Sequence, residues 1–284
     1  MPDAPSGGDG AATASTHVPA RVPGAVALVT GGGSGIGAAL VSELVARGAA
    51  AVVVADLDGA AARTVAEAAA PADASTVVEA VTLDVADGDA LRGAVADVED
   101  TFGRLDLVCS NAGLGTGAGV DAPTAVWQRA WDVNLMAHVH AADAALPGML
   151  RRGHGAFLHT CSAAGLLTVA GDAPYAVTKH AAVALAEWLS LTYGDRGIRV
   201  TALCPLGVET PMLADDEPLA ARFVRGTGRI LAPDVVARAA LDALEAGEML
   251  ALPHPEVAAL EQARAADRAT WLARLRAAVA ALGG

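Results

Sequence analysis

The residues able to do chemistry are scarce in this chain, and the scarcity makes them readable. Lys179 is the sole lysine among 19 basic residues, the other 18 (19 − 1) being arginine, and it follows Tyr175, one of only two tyrosines, by four positions. Positions i and i+4 share one face of a helix, so a phenol and an ammonium at this spacing are neighbours. A cation beside a phenol favours the phenolate and lowers its pKa, which makes Tyr175 a usable general base near neutral pH. Ser162 stands 13 residues before Tyr175, at the end of an apolar run.

A second group of residues lies nearer the start. In "TGGGSGIGAAL", the glycines at 31, 35 and 37 sit where an apolar run passes into a helical pattern. Side chains missing there let the backbone approach a pyrophosphate, which then meets the helix N-terminus; a tight turn alone would use the same residues. Asp56 ends the second apolar run, where a carboxylate can accept from both hydroxyls of an adenosine ribose and would repel a 2′-phosphate. No Lys or Arg occurs in 30–37 or 55–58 to neutralise one, and Asp58 is the better cap for the following helix. A compact ammonium at 179 can serve the phenol and ribose hydroxyls together, which the planar fork of arginine does not do in the same geometry. The chain has two asparagines. Asn111 closes the fourth apolar run in "SNAG", and Asn134 lies within a helical pattern, where asparagine has poor propensity and, if buried, needs partners. For Asn134 a purely structural role stays open.

The elements that position these residues alternate. Apolar runs at 25–30, 50–56, 77–84, 105–110, 155–162 and 198–205 read as buried strands, and helical segments at 35–47, 58–70, 87–101, 124–150 and 175–194 lie between them. Continuous apolar strands separated by helices predict a doubly wound parallel α/β sheet in one domain. Its ligands then bind at the carboxyl edge, where Asp56, Asn111 and Ser162 all fall. Residues 1–22 read as a polar disordered tail, 23–252 as a dinucleotide-binding catalytic domain, and 253–284 as a helical extension.

Composition narrows the function further. With 54% hydrophobic residues, the chain reads as a globular, enzyme-sized protein. A net charge of −13 argues against nucleic acid, and no apolar run has the length or character of a membrane span. Three scattered cysteines give neither a disulfide framework nor zinc spacing, so the reading is cytoplasmic, without a metal.

Together "TGGGSGIG", "LDV" (83–85), "NAG" (111–113), Asn134, Ser162 and "YAVTK" (175–179) resemble the short-chain dehydrogenase/reductase family over about 23–252. The resemblance implies a Rossmann-type sheet of about seven strands. It also implies hydride transfer between a nicotinamide and an alcohol or ketone carbon. Tyr175 would be the acid/base, Ser162 the hydroxyl that orients substrate oxygen, Lys179 the pKa tuner and ribose ligand, and Asn134 the holder of a relay water. Cofactor contacts carried over with it are Gly31, Ser34, Gly35, Ile36, Gly37, Asp56, Leu57, Asp84, Val85, Asn111, Ala112, Gly113, Tyr175, Lys179, Pro205, Val208 and Thr210, with Asp84 and Val85 beside adenine. One motif departs: "CPLGVET" carries Leu206 where the family has glycine, which should narrow the pocket beside the nicotinamide. Leu114, Ala164, Leu167, Leu206 and Met212 would line a hydrophobic substrate site.

The expected function is an NAD-dependent oxidoreductase acting on a hydrophobic secondary alcohol or ketone. An NADPH-dependent biosynthetic ketoreductase or 3-oxoacyl thioester reductase, and a non-catalytic dinucleotide-binding sensor, stand as alternatives. Asp56 opposes the first and the intact Ser162, Tyr175, Lys179 set opposes the second. The resemblance further suggests a homodimer or homotetramer through 124–150 and 175–194, with Trp127, Trp131 and Trp188 as interface anchors or core residues. Residues 209–229 read as a mobile lid with Met212, Leu213, Leu219 and Phe223 facing inward and Gly226 and Gly228 as hinges. Arg222, Arg225 and Arg229 would share a helical face if the helix extends that far, either solvated or binding an anionic substrate.

Overall fold

A computed structural model describes residues 21–213, 218–226 and 228–283. The expected tail lies almost wholly outside the described residues, as do Asp215, Asp216 and Glu217. Seven strands form one parallel sheet: β1 (Val26–Thr30), β2 (Ala51–Asp56), β3 (Val77–Thr82), β4 (Leu107–Ser110), β5 (Gly155–Thr160), β6 (Ile198–Leu203) and β7 (Leu250–Ala251). Their order is β3-β2-β1-β4-β5-β6-β7, so the chain reverses direction of travel between β1 and β4. That topological switch opens a crevice at the carboxyl edge. Six strand positions match the sequence reading; β7, two residues long, is too short to leave a pattern.

Helices cover both faces. They are α1 (Gly35–Ala46), α2 (Gly59–Ala69), α3 (Gly88–Phe102), α4 (Thr124–Trp131), α5 (Ala137–Arg152), α6 (Ala164–Leu167), α7 (Ala173–Tyr193), α8 (Leu219–Gly226), α9 (Pro233–Ala246), α10 (Glu256–Ala266) and α11 (Arg268–Ala281). Asp58 and Asp87 cap α2 and α3 by accepting from first-turn N–H groups, each worth about 1 kcal/mol. One apolar layer packs α1, α2 and α9 on the sheet, with Leu40, Leu44 and Leu241 fully buried. The other packs α3, α5 and α7, and into it α10 and α11 insert Val257 and Trp271 beside Leu166 and Leu167. Among the described residues no helix is long and apolar enough to cross a membrane.

The second layer contains an unusual polar element. His138 and His159 are buried and stack with ring centroids 4.9 Å apart, and His159 also stacks on Phe157 at 5.8 Å. Their ring nitrogens have no hydrogen-bond partner among the described residues. Burial, followed by the charge of Lys179, holds His159 at about 4. His138 is held well below its ordinary value, first by burial, then by His159 and Lys179. Both rings are therefore neutral in the folded chain.

Candidate active site

The turn after β1 is shaped by what cannot fit. Gly31 has φ +62°, and a Cβ there would lie 2.8 Å from Ala112 Cα. A Cβ on Gly37 would run into the Gly31 carbonyl oxygen. The backbone thus passes where no side chain is tolerated. Ser34 precedes α1 without capping it, in contrast to Asp58 and Asp87. The first-turn N–H groups of α1, with Ile36 among them, have no side-chain acceptor and suit an anion.

Around this turn the polar groups converge. Asp56 Oδ2 accepts from Gly33 N at 2.8 Å and Oδ1 from Asp58 N at 2.9 Å. Leu57 is exposed on the rim. Asp84 is held below the usual carboxylate range, mainly by the hydrogen bond from Ala86 N and then by Arg129, and Val85 beside it is buried. Asn111 Nδ2 donates to the carbonyls of Thr30 and Gly31, both at 3.1 Å. Its Oδ1 accepts from Thr160 Oγ1 at 3.0 Å, and the Thr160 carbonyl accepts from Lys179 Nζ at 2.8 Å. Thr30 Oγ1 accepts from Asn111 N and Ala112 N. One chain of hydrogen bonds therefore runs from the glycine turn to the lysine. Thr30 and Thr160 were missed by the sequence reading, because threonine at a strand end carries no signal of its own. The loop after β6 closes over the turn: a Cβ on Gly35 would lie 3.0 Å from Thr210 Cγ2. Pro205 and Val208 are buried beneath it. A glycine cradle, an uncapped helix start and a strand-end carboxylate fit a dinucleotide.

The candidate reacting groups meet at the other side of the crevice. Asp172 caps α7, accepting from Tyr175 N at 3.1 Å. The same buried carboxylate accepts from Thr116 N and Oγ1, each at 2.6 Å, and from Gly117 N at 2.9 Å. It fastens the 114–117 loop to the helix that carries Tyr175. The reading missed this residue, although an aspartate two positions before Pro174 is a helix-start signature. The Ser162 hydroxyl, which accepts from Ala164 N at 3.0 Å, stands close enough to the Tyr175 phenol to lower its pKa, and Lys179 Nζ lies 5.6 Å from the phenol ring centroid.

The phenol differs from expectation. Burial pushes Tyr175 up to about 12, with Ser162 pulling the other way. Lys179, 5.6 Å from the ring centroid, is not among the leading influences on the phenol, and burial lowers the lysine's own pKa. Its Nζ donates to the Thr160 carbonyl at 2.8 Å.

Asn134 sits in a π-helical turn, Asp132–Met136, between α4 and α5. Its Oδ1 accepts from Leu114 N at 2.9 Å, and its Nδ2 donates to Leu114 O and Thr178 Oγ1. A Cβ on Gly113 would lie 3.4 Å from both Asn134 Oδ1 and Lys179 Nζ. Such single π-turns are frequent at functional sites.

The apolar residues expected to contact substrate divide. Ala164 and Leu167 are buried, and Leu114 and Leu206 are half-buried against the core. Met212 is 52% exposed, although Gly115 lies beneath its side chain. The expectation that the segment's apolar residues all face inward is corrected: Phe223 is buried, Met212 is not. The shared arginine face is also corrected, since α8 ends at Gly226 and Arg229 lies beyond it. Arg222 Nη1 donates to Leu282 O and Arg225 Nη2 to Leu213 O, so both guanidiniums bond backbone. His254, which no motif marks, accepts from Leu206 N at 3.2 Å and bonds Arg229 O at 3.1 Å. It pins the loop at Leu206 to the far end of the lid segment.

Comparison with known proteins agrees with this geometry. The family model described as short chain dehydrogenase matches residues 25–219. A 1-deoxy-11-beta-hydroxypentalenate dehydrogenase of Streptomyces exfoliatus is 41% identical over 191 residues, 66% of this chain and 68% of the relative. A cyclohexanol dehydrogenase of an Acinetobacter species is 33% identical over 215 residues, 75% of this chain and 84% of the relative. The crystal structure of a short-chain dehydrogenase/reductase from Burkholderia phymatum in complex with NAD superposes with a TM-score of 0.79 at 27% identity, covering 87% of this chain and 95% of that one. The chain belongs to the short-chain dehydrogenase family.

Proposed function

We propose that this dehydrogenase interconverts a hydrophobic, alicyclic secondary alcohol and its ketone with NAD. The observation that carries the reading is the meeting of Ser162, Tyr175 and Lys179 beside a dinucleotide cradle. Two relatives are named for alcohols on carbocycles, which supports the substrate class. Bound NAD would supply a hydride acceptor at its nicotinamide ring. Ser162 would donate to or accept from the substrate oxygen, and Tyr175 would take the carbinol proton in oxidation and return it in reduction. Lys179 would hold the far side of the site through Thr160, and Asn134 would keep the 113–114 backbone in place. Asp56 would bond the adenosine ribose, and its charge favours NAD over NADP.

Assembly and location belong to the same proposal. Trp131 and Trp188 are exposed on α4 and α7, with Val177 and Leu191, which supports a homodimer or homotetramer joined through those helices. Trp127 is half-buried. Cys109, Cys161 and Cys204 are buried free thiols, as befits the cytoplasm. In domain terms, a catalytic unit over 23–252 carries 253–284 as an extension that completes its core.

The test is NADH formation by purified protein with cyclohexanols and fused-ring secondary alcohols. Tyr175→Phe should retain NAD binding while kcat falls by about 10²–10⁴. Oxidation should rise with pH, because the phenol must lose its proton, and a pH-independent rate or an active Tyr175→Phe enzyme would refute the assignment.

A further inference from the structure

The loop joining α6 to Asp172 borders a groove of about 370 Å³. Residues 168–170 form one wall, and α11 forms the other with Leu272, Leu275, Arg276, Val279 and Ala280. Those positions follow i, i+3, i+4, i+7 and i+8, one helical face. The lining is apolar except for Thr168 and Arg276. In a chain of net charge −13, no carboxylate among the described residues is bonded to Arg276.

The groove is built rather than incidental. Thr168 has φ +72° and ψ 169°, a region that non-glycine residues rarely occupy. The surroundings hold it there. A Cβ on Gly171 would lie 2.8 Å from Leu219 Cβ, so the loop is pressed between α8 and α11. Arg222 ties α8 to the far end of α11 through Leu282 O at 2.9 Å. Trp271 anchors the near end in the core.

We infer that this groove is a distal substrate subsite for an apolar skeleton carrying a carboxylate at Arg276. The inference rests on the alcohol dehydrogenase reading above. Continuity supports it: α6 leads from Ser162 directly to Thr168, six residues and about 9 Å at helical rise. A carboxylate on Arg276 then lies at the end of the skeleton away from the carbinol. Size supports it as well, since the volume falls within the range of small-molecule sites. Charge settles the polarity of the far end, because the groove offers one cation and no anion.

The probes are cyclohexanols bearing a 4-alkyl chain of three lengths that ends in a carboxylate, their methyl esters, and cyclohexanol itself. The readouts are kcat/KM on the full chain with saturating NAD and calorimetric titration of each acid into the NAD complex. The ratio of kcat/KM for acid over cyclohexanol should rise with chain length. Arg276→Glu should lower that ratio about fivefold to tenfold for the longest acid and little for its ester, as expected of a partly exposed pair. Ala280→Trp, which fills the groove, should lower it for acid and ester alike. A ratio indifferent to chain length, or equal effects of Arg276→Glu on acid and ester, overturns the subsite. So does a change of mass in light scattering with Ala280→Trp, which would make the groove a contact between copies. If the acids bind through Arg276 without turnover, the subsite stands and the activity reading falls. If no acid binds, the subsite falls whether or not cyclohexanol is oxidised.

Discussion

The two walls of the crevice are held by different means. The wall at the ends of β1, β2 and β4 is fixed by backbone, with glycines where no Cβ fits and with Thr30 and Asn111 bonding main-chain groups. The wall made by 205–213, 218–226 and 228–230 is fixed by side chains reaching across the sequence: His254 to Leu206 and Arg229, Arg222 to Leu282, Phe223 into the core. A backbone wall permits few residue types and binds what every dinucleotide presents. A side-chain wall can be re-cut by substitution without unmaking the sheet, which suits the part that must tell one alcohol from another.

The sharpest test of this contrast is Lys179→Arg, at the junction of the two walls. Arginine keeps the charge, but its fork does not reproduce the buried bond to the Thr160 carbonyl. Steady-state kinetics should show a fall in kcat of about 10²–10³. Asp56→Ala should come next. The 30–37 and 55–58 windows hold no basic residue. The fold nonetheless brings Arg63 close: a Cβ on Gly59 would lie 3.5 Å from its Nη1. Removing the carboxylate should therefore raise KM for NAD and shift the NADP-to-NAD ratio of kcat/KM upward by about tenfold, or ~1.4 kcal/mol. The smallest effect is expected on the side-chain wall. His254→Asn should change kcat by less than about threefold, since asparagine can keep one of two neutral hydrogen bonds, while KM for substrate rises. If His254→Asn were as damaging as Lys179→Arg, the contrast between the walls would collapse.

What the sequence made legible follows the same division. Glycine, asparagine, a lone lysine and strand-end carboxylates announce themselves because each is needed for a property no other residue has. The parallel sheet was legible because β1, β2, β5 and β6 are buried almost throughout, which leaves uninterrupted apolar runs. The side-chain wall was not. His254 lies 48 residues from the amide it accepts from, and no local pattern records that distance. Burial of Tyr175, which outweighs its neighbours electrostatically, depends on loops packing from several directions. Where α8 would stop was not legible either: it ends at Gly226 and leaves Arg229 off its face.

The stacked imidazoles beneath the site make the fold itself a refuser of protons. An unfolded histidine binds a proton near 6.5, whereas His159 in the folded chain does so only at about 4, and His138 too is held well below its ordinary value. Between those values the unfolded chain holds more protons, so stability present above pH 6.5 is lost as pH falls. For His159 alone the loss is on the order of 3 kcal/mol by pH 4, a large share of what holds a domain together. Acid therefore attacks this enzyme from inside its core, at two stacked rings that burial keeps uncharged near neutral pH.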